Sequence, residues 1–519
     1  MGDRGNSSNK RYEVLIVGAG PGGIQLATKL QSLGIDYLLI ERENCAGSFF
    51  SRFPVDRKLL SINKLNTGED DPEKNLRWDW NSLLSERSHL AYSNYSSDFF
   101  PSADSFVTYL NDFVAEQKLH ISYNINIVSV CRDEGGFSLF DEKGKQYFCR
   151  LLVIATGLSL ANVPDIPGAE FCENYTNYNR DPSLARGKDV LIIGKGNSAF
   201  ETAEYLLPHA VHIHLISPKS LRLAMHTHYV GDVRSVNGTF LDTFFLKQQS
   251  AILNGNIARV QKEGDKLIAR ISFSENQAEL SLKYDRIVVC TGFRFDRDMF
   301  SDDCKPSLDH EDRLPALNCR WESANIRNMF FCGALMQSSD YKRSSSAFIH
   351  GIRYNATVLG GLLHERLGRS APATETLKCT TECVFAKLFE RIHQSSSLWH
   401  LHDSLCDVYV LSSGARLELL RDVPINIMRA DHWAAPSTRI EFSFTFSAPS
   451  DPTERAKFSL PSPLIHPRVR FFRNGSMISE FHMYEDIYAD WKDTTGPFGT
   501  PLKIALGKFL LEDKLVTQG

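Results

Sequence analysis

Two apolar runs that break into glycine stand out in the alternation of apolar and polar positions along this chain. Val14-Leu15-Ile16-Val17 runs into Gly18-Ala19-Gly20-Pro21-Gly22-Gly23, and Val190-Leu191-Ile192-Ile193 runs into Gly194-Lys195-Gly196-Asn197-Ser198-Ala199. An unbroken apolar tetrad predicts a strand buried on both faces. A helix-forming stretch follows each, so both read strand, turn, helix. In such a turn the first glycine permits the tight bend and the second lets backbone N–H groups approach a pyrophosphate. The third position lets the helix pack close to the strand. Glu41 ends the next predicted strand, Tyr37–Ile40, about twenty residues past the first turn, where an acid hydrogen-bonds a ribose. One such turn holds a dinucleotide; two suggest FAD beside the nicotinamide nucleotide that reduces it.

Further apolar runs extend the pattern. Leu151–Ala155 and Tyr284–Cys290 both end in Thr-Gly, at Thr156-Gly157 and Thr291-Gly292, as where strands cross between two nucleotide domains. Met329-Phe330-Phe331-Cys332-Gly333 predicts a buried strand returning to the flavin, and Ser344-Ser345-Ser346 a hydroxyl-capped helix start just beyond. That helix end would offer N–H groups to a flavin carbonyl. Strict alternation over Thr438–Phe446 predicts a half-buried strand, and Val469–Ile478 a hairpin about Asn474-Gly475. A terminal helix is expected over Leu502–Leu511.

The fold class predicted is α/β, with two dinucleotide-binding Rossmann-like domains and a C-terminal α+β extension. The expected division is residues 10–165 for the first part of the FAD domain, 166–285 for the NADPH domain, 286–370 for the second part of the FAD domain, and 385–519 for an extension of unassigned role. The stretch from Gly47 to Pro101 is an insertion with few periodic apolar runs, and Pro372 suits a linker. No catalytic pattern is visible in the C-terminal extension, whose aromatics read as core.

Composition narrows the classes. The 519 residues are 42% hydrophobic and 23% charged, with a net charge of −4, which gives no electrostatic case for nucleic acid or an anionic membrane. No apolar run approaches the length of a membrane span. The polar start, Met1–Lys10, lacks a signal-peptide core, and Lys514–Gly519 forms no ER-retention signal, so a cytoplasmic location is expected by default. Eleven scattered cysteines with no CxxC argue against a disulfide framework and a dithiol centre, and no zinc spacing appears, so no metal is expected.

From these patterns the first nucleotide is assigned to Gly18, Gly20, Pro21, Gly23, Glu41 and Arg42, with Thr156, Gly157, Gly333 and Ser346 near the flavin. The second is assigned to Gly194, Gly196, Asn197 and Ser198. The strand ending at Ile216 is followed by Ser217, Lys219 and Arg222 where a ribose-binding acid would sit. Hydroxyl and cations there favour a 2′-phosphate, hence NADPH over NADH. The segment His226–Arg234 follows that unit and faces the cleft between domains, which makes His228, Tyr229, Asp232 and Arg234 candidate substrate or nicotinamide contacts. Asp340, Tyr341 and His350 are candidates near the flavin ring.

Longer strings carry a resemblance. Gly47–Pro54, Arg57–Lys64, Asn75–Leu84, Gly194–Glu204, Thr227–Asp232, Asp340–Ser344 and Phe348–Gly351 resemble the flavin-containing monooxygenase-like group. The nearest likeness is to its branch of ER flavoproteins associated with degradation. A weaker likeness continues through Leu464–Pro467 and Asp490-Trp491. The secretory signal and retention tail of that branch are not matched, so the resemblance transfers fold and cofactors rather than location. It implies that Ser48 and Phe49 line the FAD site, that Asn63 bonds near the flavin N5/C4a edge, and that Lys64 contacts flavin or NADP. It also implies a cycle in which NADPH reduces FAD, dioxygen forms a C4a-hydroperoxide, and a nucleophile takes the distal oxygen. The Phe-x-Gly-x-x-x-His hallmark of Baeyer–Villiger oxygenases is absent; Cys172 stands at the histidine's place, which puts that chemistry in doubt.

The leading expectation is therefore an FAD- and NADPH-dependent monooxygenase of a small nucleophile, amine nitrogen before sulfur, with dioxygen as co-substrate. An NADPH-dependent reductase of a disulfide or quinone and a non-enzymatic partner-binding flavoprotein stay open beside it. A homo-oligomer is compatible with the sequence.

Overall fold

The first apolar run lies inside a seven-stranded sheet of a computed structural model that describes residues 10–247, 251–370, 374–412, 416–430, 438–448 and 464–512. The chain's first residues, Pro372 and the tail from 514 lie outside them. The strand order is Ile121–Ser122, Tyr37–Ile40, Arg11–Val17, Gln146–Ile154, Gly136–Asp141, Ile127–Asp133, with Met329–Phe331 added parallel beside Gln146–Ile154. The second run, Asp189–Ile193, lies between His212–Ser217 and Arg286–Val289 in another seven-stranded sheet. Both runs are buried along their apolar positions because helices cover the sheets.

The two nucleotide units repeat each other bond for bond. The Gly18 N–H donates to the Ile40 carbonyl at 2.8 Å and the Gly194 N–H to that of Ile216 at 2.8 Å. Ala155 donates to Val17 and Cys290 to Ile193, both at 2.8 Å. The Thr-Gly ends behave as expected of crossing chains: beyond them Leu160–Ala161 pairs antiparallel with Phe293–Arg294, tying the units together. The chain is thus α/β with two Rossmann-like units, as read from the sequence.

Two local expectations fail. The helix beyond Ser346 starts later, at Ile349, with Phe348 at its N-cap and no side-chain cap. The hydroxyls meant to cap it are engaged elsewhere: Ser346 donates to Asp340 at 2.6 Å and Ser344 to the His400 carbonyl at 3.4 Å. The strand Arg439–Thr445 is buried at every position rather than on one face. It is an internal strand of a six-stranded C-terminal sheet, and its polar face tolerates burial because Glu441 pairs with Arg439 at 2.8 Å and Arg470 at 3.1 Å. The hairpin about Asn474-Gly475 forms, between His466–Arg473 and Ser476–His482, as does the last helix, Gly499–Glu512.

The insertion after Gly47 is held between the other parts by buried arginines. Arg353 donates to the carbonyls of Leu76, Asp79 and Ser82 at 2.8, 2.9 and 2.8 Å, and Arg77 to those of Ile392, Ser395 and Ala489 at 3.0, 3.1 and 3.2 Å. Backbone carbonyls that no regular element satisfies are thereby paired. Among the described residues no helix is long and apolar enough to cross a membrane.

Candidate active site

Glycine geometry shows what each turn is shaped to hold. A Cβ on Gly18 would stand 2.6 Å from the Ala155 carbonyl oxygen, one on Gly194 2.3 Å from that of Cys290, and one on Gly23 2.1 Å from that of Gly18. These positions exclude side chains because backbone packs against backbone. Gly20 and Gly196 are different: a Cβ there would meet no atom within 4 Å. Both are N-caps of helices, Pro21–Ser32 and Asn197–Leu206, with no side-chain cap. Open space in front of uncapped helix N-termini fits a pyrophosphate in each.

Around the first turn, the Glu41 carboxylate accepts from Ala19 N–H at 2.8 Å, Glu43 N–H at 3.0 Å and the Ser48 hydroxyl at 3.1 Å. The expected acid is therefore a brace of the turn, with lone pairs left for a ribose. Arg42 beside it is exposed, and the Phe49 ring lies 5.9 Å from that of Phe293, at the crossing between units. Gly333, with φ +72°, abuts the helix start so closely that a Cβ on Gly22 would fall 2.4 Å from its Cα. The buried Thr156 hydroxyl has no partner beside the open Gly157 turn.

The second turn is braced by side chains the sequence assigned to a ligand. Asn197 donates to the carbonyls of Gly231 and Asp232 at 3.2 and 2.9 Å and accepts from Arg234 N–H at 3.0 Å. Ser198 follows it in the helix's first turn. Asp232 takes the Arg222 Nε at 3.0 Å and the Thr227 hydroxyl at 2.6 Å, so it orients Arg222. The Ser217 hydroxyl reaches the Lys219 carbonyl, and Lys219 lies exposed, 3.7 Å from Glu311.

The segment after this unit lies where four parts of the chain converge. The guanidinium of Arg234 lies 5.2 Å from the centre of the Trp80 ring, and the ring of His350 4.3 Å from it. His400, from the C-terminal region, is 4.6 Å from His350 and donates its Nε2–H to the Leu76 carbonyl at 2.9 Å, while burial holds its ring well below the usual imidazole range. Tyr229 meets Phe348 at 5.9 Å, and His228 stacks on Phe446 at 4.6 Å. Burial and the charges of Arg353 and Arg234 hold His350 well below the usual imidazole range. Among the described residues neither of its nitrogens has a partner, although it is only 1% exposed.

Asn63 approaches this junction from the insertion, pairing by a β-bridge with Asp79, the neighbour of Trp80. Its Nδ2 donates to the Ser96 carbonyl at 2.7 Å, which can only accept, so the amide orientation is set and the buried Oδ1 is left unpartnered. Lys64 is exposed. Asp340 accepts from Ser346 at 2.6 Å and Ser404 at 3.0 Å, keeps Oδ1 unpartnered, and is pushed up to about 6 by burial. Tyr341 stacks on His310 at 4.2 Å. Sequence reasoning missed Trp80, which lies inside a quoted string, and His400, which no motif marks.

Glu69, His393 and Asp490 could meet on a metal ion, but the Lys74 ammonium, 2.8 Å from Glu69 and 3.3 Å from His393, already fills that cation position.

A model of the family described as "Pyridine nucleotide-disulphide oxidoreductase" matches residues 15–333. The chain belongs to that family. It is a flavin-dependent oxidoreductase, and membership accords with FAD and NADPH as its cofactors. A relative from Mus musculus, FAD-dependent oxidoreductase domain-containing protein 2, is 33% identical over 95% of this chain and 83% of its own. The resemblance read from the quoted strings is borne out by it. Among solved structures, bacillithiol disulfide reductase from Staphylococcus aureus is 17% identical, with a TM-score of 0.51 over 69% of this chain and 99% of that one. A flavin-containing monooxygenase from Stenotrophomonas maltophilia is 16% identical, with a TM-score of 0.53 over 69% and 99%. The fold alone is common to the three and does not choose between reduction and oxygenation.

Proposed function

We propose that the protein is an FAD- and NADPH-dependent monooxygenase that oxygenates a small nucleophile, amine nitrogen before sulfur. The observation that carries this reading is the junction of Asn63, Trp80, Arg234, His350 and His400. Its orphaned acceptor and imidazole are enclosed by several parts of the chain, and among the described residues no thiol is in contact with them. Cys332 and Cys290, the cysteines beside the two turns, are buried with thiols pushed up to about 12, against the thiolate that disulfide exchange requires. FAD, reduced by NADPH, would supply the activation of dioxygen.

The chain's own residues would do the rest. Gly18, Gly20 and Gly23 would admit the first pyrophosphate, and Glu41 would take a ribose. Gly194, Gly196 and Ser198 would admit the second, with Ser217, Lys219 and Arg222 at its 2′-phosphate. Asn63 Oδ1 would accept a hydrogen bond at the flavin's reactive edge, and the enclosed junction would exclude water.

Incubation with NADPH, oxygen and a panel of amines and thiols, followed by mass spectrometry, tests this. A gain of one oxygen in an amine is expected. Asn63→Ala should keep FAD and its reduction by NADPH, while product falls at least tenfold and peroxide takes its place, the order of loss when one positioned hydrogen bond is removed. Wild-type protein that oxygenates nothing and passes electrons readily to a disulfide or quinone would establish the reductase instead.

A further inference from the structure

Several arginines buried in this protein are held by more than one acceptor. Arg353 and Arg77 each reach three carbonyls, and Arg286 pairs bidentately with Glu173 at 2.8 Å. Arg234 breaks the pattern. Its backbone N–H is anchored on Asn197, but among the described residues its guanidinium makes no hydrogen bond and no ion pair, only the contact with Trp80. Burial disfavours its charge. A partly desolvated guanidinium without an anion is costly, and its fork matches a carboxylate in two bonds.

A second observation lies on the same tryptophan. His350 packs on Trp80 with both nitrogens unpartnered and almost no exposure. The groups facing it are Arg234, Arg353, His400, Trp80 and Phe348, so a cation set beside it would meet only positive or neutral neighbours. An anionic oxygen between Arg234 and His350 would satisfy the guanidinium and take the imidazole's one N–H. Trp80, Phe348 and Tyr229 offer apolar surface for the rest of a ligand.

We infer that the substrate is an amine that also carries a carboxylate, and that Arg234, with His350, binds that carboxylate beside Trp80. This rests on the oxygenase reading and names its substrate class. The other source of an anionic oxygen is the phosphate chain of the nicotinamide nucleotide, since the Arg234 backbone is tied to the second turn.

The test uses the FAD-loaded protein and four probes with their decarboxylated counterparts: ornithine, lysine, phenylalanine and tryptophan against putrescine, cadaverine, phenethylamine and tryptamine. Binding is read from perturbation of the flavin spectrum, and turnover from oxygenated product. At least one amino acid should bind more tightly than its decarboxylated amine. Arg234→Gln should weaken that acid about 10- to 150-fold, the worth of a charge-assisted bond, and leave the plain amine within about threefold. Arg234→Lys should recover part of the loss. Failure of every acid to bind better than its amine overturns the inference. So does an Arg234→Gln variant that keeps its FAD and loses only NADP affinity, which assigns the guanidinium to the nucleotide. Arg234-dependent binding of an acid without oxygenated product leaves the subsite standing and removes the oxygenase reading. Oxygenation of amines with equal effects of Arg234→Gln on acid and amine does the reverse.

Discussion

Gly20 and its neighbours show how much one methyl group decides. At Gly18, Gly22 and Gly23 an added Cβ collides with backbone, so any substitution there confounds folding with binding. Gly20 has open space before it and φ −76°, which any residue adopts. Gly20→Val should therefore fold and yet fill the space that a pyrophosphate needs. We expect the variant to keep wild-type far-ultraviolet dichroism while purified protein loses its yellow colour. Stoichiometric flavin retained by the folded variant would remove the first turn from the FAD site. Asn63 is decided by a single bond in a similar way: because Nδ2 is spent on Ser96, the side chain can present only an acceptor.

At the scale of elements, the segment from Ser217 to Arg234 does two jobs, and one of them can be switched off. Asp232 holds Nε of Arg222 and leaves its terminal nitrogens toward solvent, since the side chain is half exposed. If these meet a 2′-phosphate, Arg222→Ala should weaken NADPH about tenfold, the low end for a charge-assisted contact at an exposed site, and hardly alter NADH. Steady-state KM values for both nucleotides check this; equal changes would make Arg222 a structural partner of Asp232 alone. The elements behind this segment were legible from sequence because their signal is local. The strand Tyr37–Ile40 was read to the residue, and both glycine turns announced strand and helix. The start of the helix at Ile349 was misplaced because hydroxyls suited to capping were drawn to Asp340 and His400 by tertiary contacts that local pattern does not encode. The same holds for the site: its glycines follow from backbone geometry, whereas Trp80 and His400 enter it only through packing of the insertion and the C-terminal region.

The whole molecule joins its nucleotide units through a buried acid that neither turn uses. Glu201, on the helix after the second turn, accepts from the Asp56 N–H of the insertion at 2.6 Å and from the Tyr175 hydroxyl at 2.8 Å. Burial raises it from 4.5 to about 7, with the charge of Asp56 adding to the rise. The folded protein therefore keeps a proton there that the unfolded chain releases near its ordinary value. Stability is greatest below the unfolded pKa and is lost as pH rises through the window from 4.5 to about 7. Glu201→Gln mimics the protonated acid: its Oε1 still accepts from Asp56 and its amide can donate to Tyr175. Urea unfolding followed from pH 4.5 to 8 should show wild type and variant alike at the acid end. By pH 8 the variant should be more stable by about 3 kcal/mol, the worth of the shift at 1.36 kcal/mol per unit. Asp340, raised to about 6 by burial, keeps the same sign in both proteins and cancels in the difference. Parallel curves across the window would mean that Glu201 is ionised in the folded state, and that the contact between the helix and Asp56 is an ordinary charged one.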